Sequence, residues 1–307
     1  MTEANLPLWT PSDERVAATN MVAFMDAVRR DHDVDLAGYD DLYNWSIDQP
    51  EAFWKAIWDL CGVISDGPGN TTIEDFGKMP GARWFPCARL NFAENLLRRR
   101  DSGPALIFSD ELRQQRILSH GDLYDEVSRL AQALADCGVG PGDRVAGFLP
   151  NLPETAIAML ATTSLGAIWS SCSPDFGIKG VMDRFGQIAP KVLFVADGYH
   201  YGGKTLDSLS RARAIADQLP YLEQLIVVPY LDPAPKLDGL EAVMLADFVA
   251  PYTPRDIDFI RLPFNDPLYI LYSSGTTGVP KCIVHGIGGT LIQHLKEHRL
   301  HCNIKRD

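Results

Sequence analysis

A chain of 307 residues with 46% apolar and 9% aromatic content can bury a large core, roughly 75% of its unfolded surface, and is expected to be globular and soluble. Acidic residues outnumber basic ones by 40 to 28, a net charge of −12, and the one dense basic run is Arg98–Arg100, so no nucleic-acid partner is expected. The most apolar stretch, AIAMLATTSLGAIW, is shorter than the ~20 residues of a spanning helix, and MTEANLPLWTPS lacks the regions of a signal peptide, which points to no membrane partner and a cytoplasmic location.

The first hundred residues are rich in tryptophan. NWSIDQPEAFWKAIWDLCGVI places Phe53, Ile57 and Leu60 on one helical face and Trp54 and Trp58 on a neighbouring one, a spacing that suits core or docking surface better than a cofactor site. Gly67 to Ala88, with recurring Gly, Pro and Asn, is expected to be loop-like. From Pro104, ALIFSD and RILS predict a strand pair. The next stretch, SHGDLYDEVSRLAQALADCG, predicts a helix that Ser119 caps and Gly138 closes.

VGPGDRVAGFLP predicts a turn and a buried strand, and PETAIAMLATTSLG a helix with Pro153 at its start. The alternation continues through a strand in AIWSSC, a helix in GVMDRFGQIA, a strand in KVLFVAD, a helix from about Leu206 to Leu219, and strands in QLIVVP and LYILYS. Strands alternating with helices predict an α/β fold with a parallel-rich sheet covered on both faces. Six cysteines at 61, 87, 137, 172, 282 and 302 have no paired spacing of the kind zinc sites use, and are read as reduced, mostly buried thiols.

YSSGTTGVPK, from Tyr272 to Lys281, follows the last strand, and the next clear element is a predicted helix in GTLIQHLKEHRL. Loops at the carboxyl ends of strands in α/β sheets are where ligands bind. Gly275 and Gly278 permit positive φ and close approach of the backbone to a bulky anion. Hydroxyls on Ser273, Ser274, Thr276 and Thr277 add donors, and Lys281 adds a mobile positive charge. The loop therefore suits a polyphosphate better than a flexible Ser/Gly turn. It is not the P-loop, which needs four residues between its glycines and a Lys-Ser/Thr pair.

The string resembles the phosphate-loop signature of the adenylate-forming superfamily. NWSIDQPEAFW is similar to the amino-terminal segment of its acetyl-CoA synthetase branch, and GVGPGDRVAGFLPN followed by LGAIW is similar to the first units of the ligase core. LWTPSDERVAATNMVAFM, GAIWSSCSPDFG and PKCIVHGIGGTLIQHLKEHRLHCNIK resemble the part of that branch whose acid is acetoacetate.

The resemblance implies a large-domain fold of the adenylate-forming type, divided into an amino-terminal segment at 1–96 and an AMP-binding domain at 97–307 that is incomplete at its carboxy end. It implies ATP, Mg²⁺ and CoA as cofactor and co-substrates, acetoacetate or a similar short acid as substrate, and a reaction through an acyl adenylate. By motif position, Ser273, Ser274, Gly275, Thr276, Thr277, Gly278 and Lys281 hold the ATP phosphates, and Arg184 lies near the phosphates of CoA. An ordinary helix-surface ion pair with Asp183 or another neighbour competes with that last role.

The adenine and ribose motifs, the hinge and the adenylation lysine of the family lie beyond Asp307, so the chain is expected to be an amino-terminal fragment, inactive by itself, with edges where the family has central strands. Alternatives are a ligase for another short acid or a non-catalytic nucleotide-binding module. YGGKTL at Tyr201 resembles the adenine motif only superficially: it precedes the loop, and Leu206 stands where an acid is needed. His294, His298 and His301 have a spacing that could ligate zinc, but a polar helix face is the better reading. His285 is expected to be a core histidine, and Trp169 a core residue.

Overall fold

The structure, a computed structural model, describes residues 8–273 and 278–305. They fall into two compact units, one formed by residues up to Val63, Gly67–Ala88 and the chain from Gly289 onward, the other by Ile64–Asp66 and Arg89–Gly288.

The first unit begins with helices α1 (Asp13–Ala17), α2 (Asn20–His32), α3 (Tyr39–Asp48) and α4 (Pro50–Cys61), followed by the short antiparallel pair β1 (Ile73–Glu74) and β2 (Arg83–Trp84). Thr19 caps α2 by accepting from the Val22 amide, and Gly62, with φ of +57°, closes α4 in the left-handed conformation that glycine tolerates best. Ile57 and Trp58 are buried together while Phe53 is only half-buried, so the buried stripe runs between the two faces read from the sequence. Trp58 lies against Phe85 with ring centroids 4.7 Å apart, and Trp54 meets Trp84 edge-on at 6.0 Å.

The unit is completed from far along the chain. Asn20 donates its backbone N–H to Asn303 Oδ1 at 2.9 Å and its Nδ2 to the carbonyls of Arg299 and Ile304 at 2.9 and 3.1 Å. Arg299 in turn donates to Leu60 O at 2.6 Å, and Lys305 Nζ to Ala18 O at 2.8 Å.

The second unit is the α/β body. After β3 (Arg89–Leu90) and α5 (Phe92–Leu96) come the hairpin β4 (Pro104–Ser109) and β5 (Gln115–Ser119), helix α6 (His120–Asp136), β6 (Arg144–Phe148), α7 (Pro153–Ser164), β7 (Ile168–Cys172), α8 (Ile178–Ile188) and β8 (Val192–Ala196). A second hairpin, β9 (Gly198–Tyr201) and β10 (Lys204–Asp207), precedes α9 (Leu209–Ala216), β11 (Gln224–Val228), β12 (Val243–Met244), α10 (Leu245–Val249), β13 (Leu262–Pro263), β14 (Pro267–Ser273) and β15 (Lys281–Gly286); α11 (Ile287–Lys296), which follows, belongs from Gly289 to the first unit. The seven-stranded sheet has the order β12-β11-β8-β6-β7-β14-β15, parallel throughout except for the last pair. The expected α/β class is the observed one.

The local signals read from the sequence act as expected. Ser119 and Asp122 form a capping box at the start of α6, and Gly138, at φ +73°, follows its end; Pro153 opens α7. One side of the sheet carries Val145, Trp169, Phe194 and Ile226 under α6 and α7. The other carries Phe148, Leu193 and Val195 with Val181, Phe185 and Ile188 of α8 and Ala212 and Ile215 of α9. The Val, Leu, Ile and Phe side chains among these each contribute about 1.5–3 kcal/mol when fully buried. Trp169 is core, at 4% exposure, and its indole packs so closely on β6 that a Cβ at Gly147 would lie 2.8 Å from it.

Three expectations are corrected. The helix placed from about Leu206 starts at Leu209, because Leu206 and Asp207 pair with Tyr199 and Gly198 in the β9–β10 hairpin, and Asp207 then accepts from the amides of Leu209 and Ser210 at 3.3 Å. The loop after β14 does not lead straight into a helix: β15 runs back antiparallel along β14, with Ser273 opposite Lys281 and Leu271 opposite Ile283. β-Branched Ile283 and Val284 favour that extended form. Of the cysteines, only Cys61 and Cys172 are buried, while Cys87 and Cys302 are exposed and Cys137 and Cys282 lie between.

Among the described residues no helix is long and apolar enough to cross a membrane.

Candidate functional site

The chain passes from β6 to β7 on one side and then places β8 on the other side of β6. Such reversals leave a crevice outside the carboxyl ends of the strands. β7 and β14 are parallel neighbours in the sheet, so the two strands end on the same side, at Cys172 and Ser273.

Below the crevice, Ser170 Oγ donates to Ile270 O at 2.8 Å and lies 2.9 Å from Tyr272 Oη. Burial raises the Tyr272 phenol above its usual range, although the Ser170 contact and the charge of Arg184 work the other way. Burial likewise pushes the Cys172 thiol up to about 12. The floor is therefore a set of neutral, protonated groups at physiological pH.

The turn after β7 is rigidly held. Tyr199 donates to Asp175 Oδ1 at 2.8 Å, Asp175 also accepts from Ser173 Oγ at 2.9 Å, and Arg211 donates to Pro174 O at 2.7 Å. That turn sets the start of α8, whose side chains reach the loop after β14. Arg184 places its guanidinium carbon 4.1 Å over the Phe176 ring and 5.7 Å over Tyr272, contacts favourable to a cation. Its one described hydrogen bond is donated to Gly180 O within its own helix, at 2.7 Å. Asp183 is paired with Lys179 at 2.7 Å, so the expected competitor, an Asp183–Arg184 ion pair, is absent among the described residues. Gln187 donates one amide hydrogen to Asp183 O and the other to Pro280 O at 2.9 Å.

Of the loop residues named from the sequence, Ser274, Gly275, Thr276 and Thr277 lie outside the described residues. Ser273 ends β14 and is half-buried. Gly278 has φ of +96°, a left-handed backbone that favours glycine. Lys281 is the exposed first residue of β15, paired through its backbone with Ser273, and its side chain makes no hydrogen bond or ion pair with any described residue, so its charge is uncompensated there.

The remaining candidates are placed elsewhere. YGGKTL forms the tip of the β9–β10 hairpin, where the amides of Gly202 and Gly203 donate to the Glu111 carboxylate at 2.9 and 3.0 Å and hold it below the usual glutamate range. His285 is half-buried in β15, with its ring 5.2 Å from that of Tyr269 across the strand pair; this is an edge position, not the core position expected. A π-helical turn at Glu297–His301 breaks the even spacing of His294, His298 and His301. The rings of His294 and His298 lie 6.3 Å apart, and His301 faces Glu297 at 3.6 Å. Among the described residues no group of three or more His, Cys, Asp or Glu is arranged to hold a metal ion. The basic run is internally satisfied: Arg99 pairs with Asp101, Arg100 with Asp256, and Arg98 donates to Asn95.

Arg184 and Lys281 are thus two cations near the carboxyl end of β14 whose side chains have no carboxylate partner among the described residues, and the groups beneath Arg184 are neutral. Residues 92–304 match the AMP-binding enzyme family, and residues 39–96 match the acetyl-coenzyme A synthetase N-terminus. The chain belongs to the AMP-binding enzyme family. It is 52% identical to an acetoacetyl-coenzyme A synthetase of Rhizobium meliloti (strain 1021), a match covering 99% of this chain and 46% of that protein. A malonamoyl-CoA synthetase of Penicillium aethiopicum is 38% identical over 97% of this chain and 43% of its own length. The solved acetoacetyl-CoA synthetase from Streptomyces lividans superposes with a TM-score of 0.91 at 40% identity, over 97% of this chain and 46% of that one. The chain thus spans about half the length of these AMP-binding relatives.

Sequence reasoning missed Ser170, Phe176, Tyr272 and Gln187 as parts of the site. Tyr272 stood at the edge of the motif. The others are brought in by sheet order and by the approach of α8, and no local signal marks them.

Proposed function

We propose that the chain carries the ATP phosphate loop of an acid–thiol ligase that joins acetoacetate to CoA. In that reading a carboxylate oxygen of the acid attacks the α-phosphorus of ATP, the bond to pyrophosphate breaks, and an acyl adenylate forms. The CoA sulfur then attacks the acyl carbon, losing its thiol proton, and AMP leaves. Ser273, Ser274, Gly275, Thr276, Thr277, Gly278 and Lys281 hold the departing phosphates by hydroxyl, amide and ammonium donors, an electrostatic stabilisation of charge that grows at the leaving group. Arg184 is the residue assigned to the CoA phosphates, its guanidinium held by rings and left without a carboxylate partner among the described residues.

Mg²⁺, which the family resemblance implies, would share the phosphate charge when bound. The reading also places the division between amino-terminal segment and AMP-binding domain at 96/97, and the protein in the cytoplasm.

The observation that carries the reading is the pairing of a left-handed Gly278 and an uncompensated Lys281 at the carboxyl end of β14. Acid-dependent release of pyrophosphate by the full-length gene product tests it. The triple substitution Thr276→Ala, Thr277→Ala, Lys281→Ala should abolish release, and unchanged turnover in that variant would sink the phosphate role. A second reading, a different short acid, is favoured by the match to a malonamoyl-CoA synthetase. Equal turnover of acetate and acetoacetate would remove the narrower substrate.

A further inference from the structure

One helix touches both feet of the loop between β14 and β15. At the near foot, Arg184 of α8 lies over Tyr272, the residue before Ser273. At the far foot, three residues further along α8, Gln187 donates to Pro280 O, the residue before Lys281. The two contacts differ in kind. The Arg184 guanidinium is attracted to the ring of Tyr272, whereas Gln187 makes a directed hydrogen bond to the backbone.

We propose that Gln187 is a positioning residue that anchors the exit of the loop, so that Gly278 and Lys281 are presented to the phosphates in a fixed geometry. It touches neither substrate nor reacting atoms; it acts through Pro280. The amide suits the task because it has two hydrogens. The one bonded to Asp183 O in the preceding turn fixes the side-chain rotamer, and the other reaches across to Pro280 O. Pro280 suits it too, since proline restricts φ and a carbonyl held on one side leaves little freedom to the two residues beside it. The α8 helix is itself fixed at its far end, where Arg144 donates to the carbonyls of Ile188 and Ala189 at 2.6 and 2.8 Å. The anchor therefore stands on a part of the fold that the loop cannot drag with it.

The proposal rests on the polyphosphate reading of the loop for its ligand, but not for the anchor itself, and two measurements separate them. The protein is compared with Gln187→Met, which keeps the length and loses the donor, and Gln187→Lys, which keeps a donor at that reach. Without any ligand, hydrogen–deuterium exchange at the amides of Gly278, Val279 and Lys281 is expected to rise about two- to tenfold in Gln187→Met, the equivalent of one hydrogen bond. It should return towards the parent value in Gln187→Lys, with exchange in α6 and the urea midpoint the same in all three. Unchanged exchange at those amides in Gln187→Met overturns the anchor, whatever the loop binds.

Calorimetry with Mg²⁺-pyrophosphate is the second measurement. The parent should bind it, and Gln187→Met should bind it more weakly by a similar factor. Loosened amides with undiminished affinity in Gln187→Met would overturn the positioning role. A parent that binds no pyrophosphate while its Met variant shows the exchange effect would keep the anchor and remove the polyphosphate reading.

Discussion

The two ends of the seven-stranded sheet treat their cations in opposite ways. At the amino ends of the strands, Arg144 donates to three carbonyls, those of Ile188, Gly142 and Ala189, at 2.6 to 2.8 Å. Lys191 donates to Gly138 O at 2.8 Å and lies 3.7 and 3.6 Å from the carboxylates of Asp143 and Glu223. At the carboxyl ends, Arg184 is held by rings and by a carbonyl of its own helix, and Lys281 has no described partner. A cation bonded on every side serves the fold. One that is held in place without its charge being neutralised is available to an anion, and in a protein of net charge −12 such local placement is the means of attracting one.

The sharpest way to break this contrast is to exchange the consequences. Arg144→Ala should lose about 2–4 kcal/mol of stability, because hydrogen bonds from a charged donor are removed and the left-handed Ala189, at φ +47°, loses its tether. The urea midpoint would show it, and nucleotide affinity in the folded fraction should be unchanged. Lys281→Ala should do the reverse: stability within about 0.5 kcal/mol of the parent, as for other exposed substitutions, and pyrophosphate affinity lower by roughly 10- to 100-fold, the value of one charged hydrogen bond. If Lys281→Ala lowered the midpoint as much as Arg144→Ala, the distinction between the two ends would fail.

Smaller effects sharpen it. Gly278→Ala should cost about 1 kcal/mol, because its backbone at φ +96° is strained for any residue with a Cβ, and should weaken pyrophosphate binding together with stability. Two half-buried thiols report on the two ends separately: Cys282 follows Lys281, and Cys137 precedes Gly138. Saturating Mg²⁺-pyrophosphate should slow labelling of Cys282 by a few-fold and leave Cys137 unaffected. Cys172, its thiol pushed up to about 12 by burial, should label at pH 8 only on unfolding, since the thiolate is the reactive form.

Much of the helical layer was legible. The Ser119 cap, Gly138 and Pro153 are local devices that act wherever the helix lies, and they set the boundaries of α6 and α7 as read. The segment between β14 and β15 was legible only as a motif. Ser273, Gly278 and Lys281 could be named from spacing, but the return strand β15 could not be placed, because Ile283 and Val284 lie on an edge, 45% and 55% exposed, and give no inward–outward alternation. Leu206 was read into a helix for a related reason: its hairpin partner Tyr199 decides its state. The contacts that frame the loop, Ser170 to Tyr272 and Gln187 to Pro280, join residues 102 and 93 apart, and no local pattern encodes such a meeting.

The bonds from Asn20 to Arg299, Asn303 and Ile304 span 279 to 284 positions. During synthesis α2 therefore emerges from the ribosome long before the helical turn it is built to grip. At the 5–20 residues per second of translation, that delay is on the order of 14–60 s, through which the tryptophan-rich opening helices must persist without their final partner.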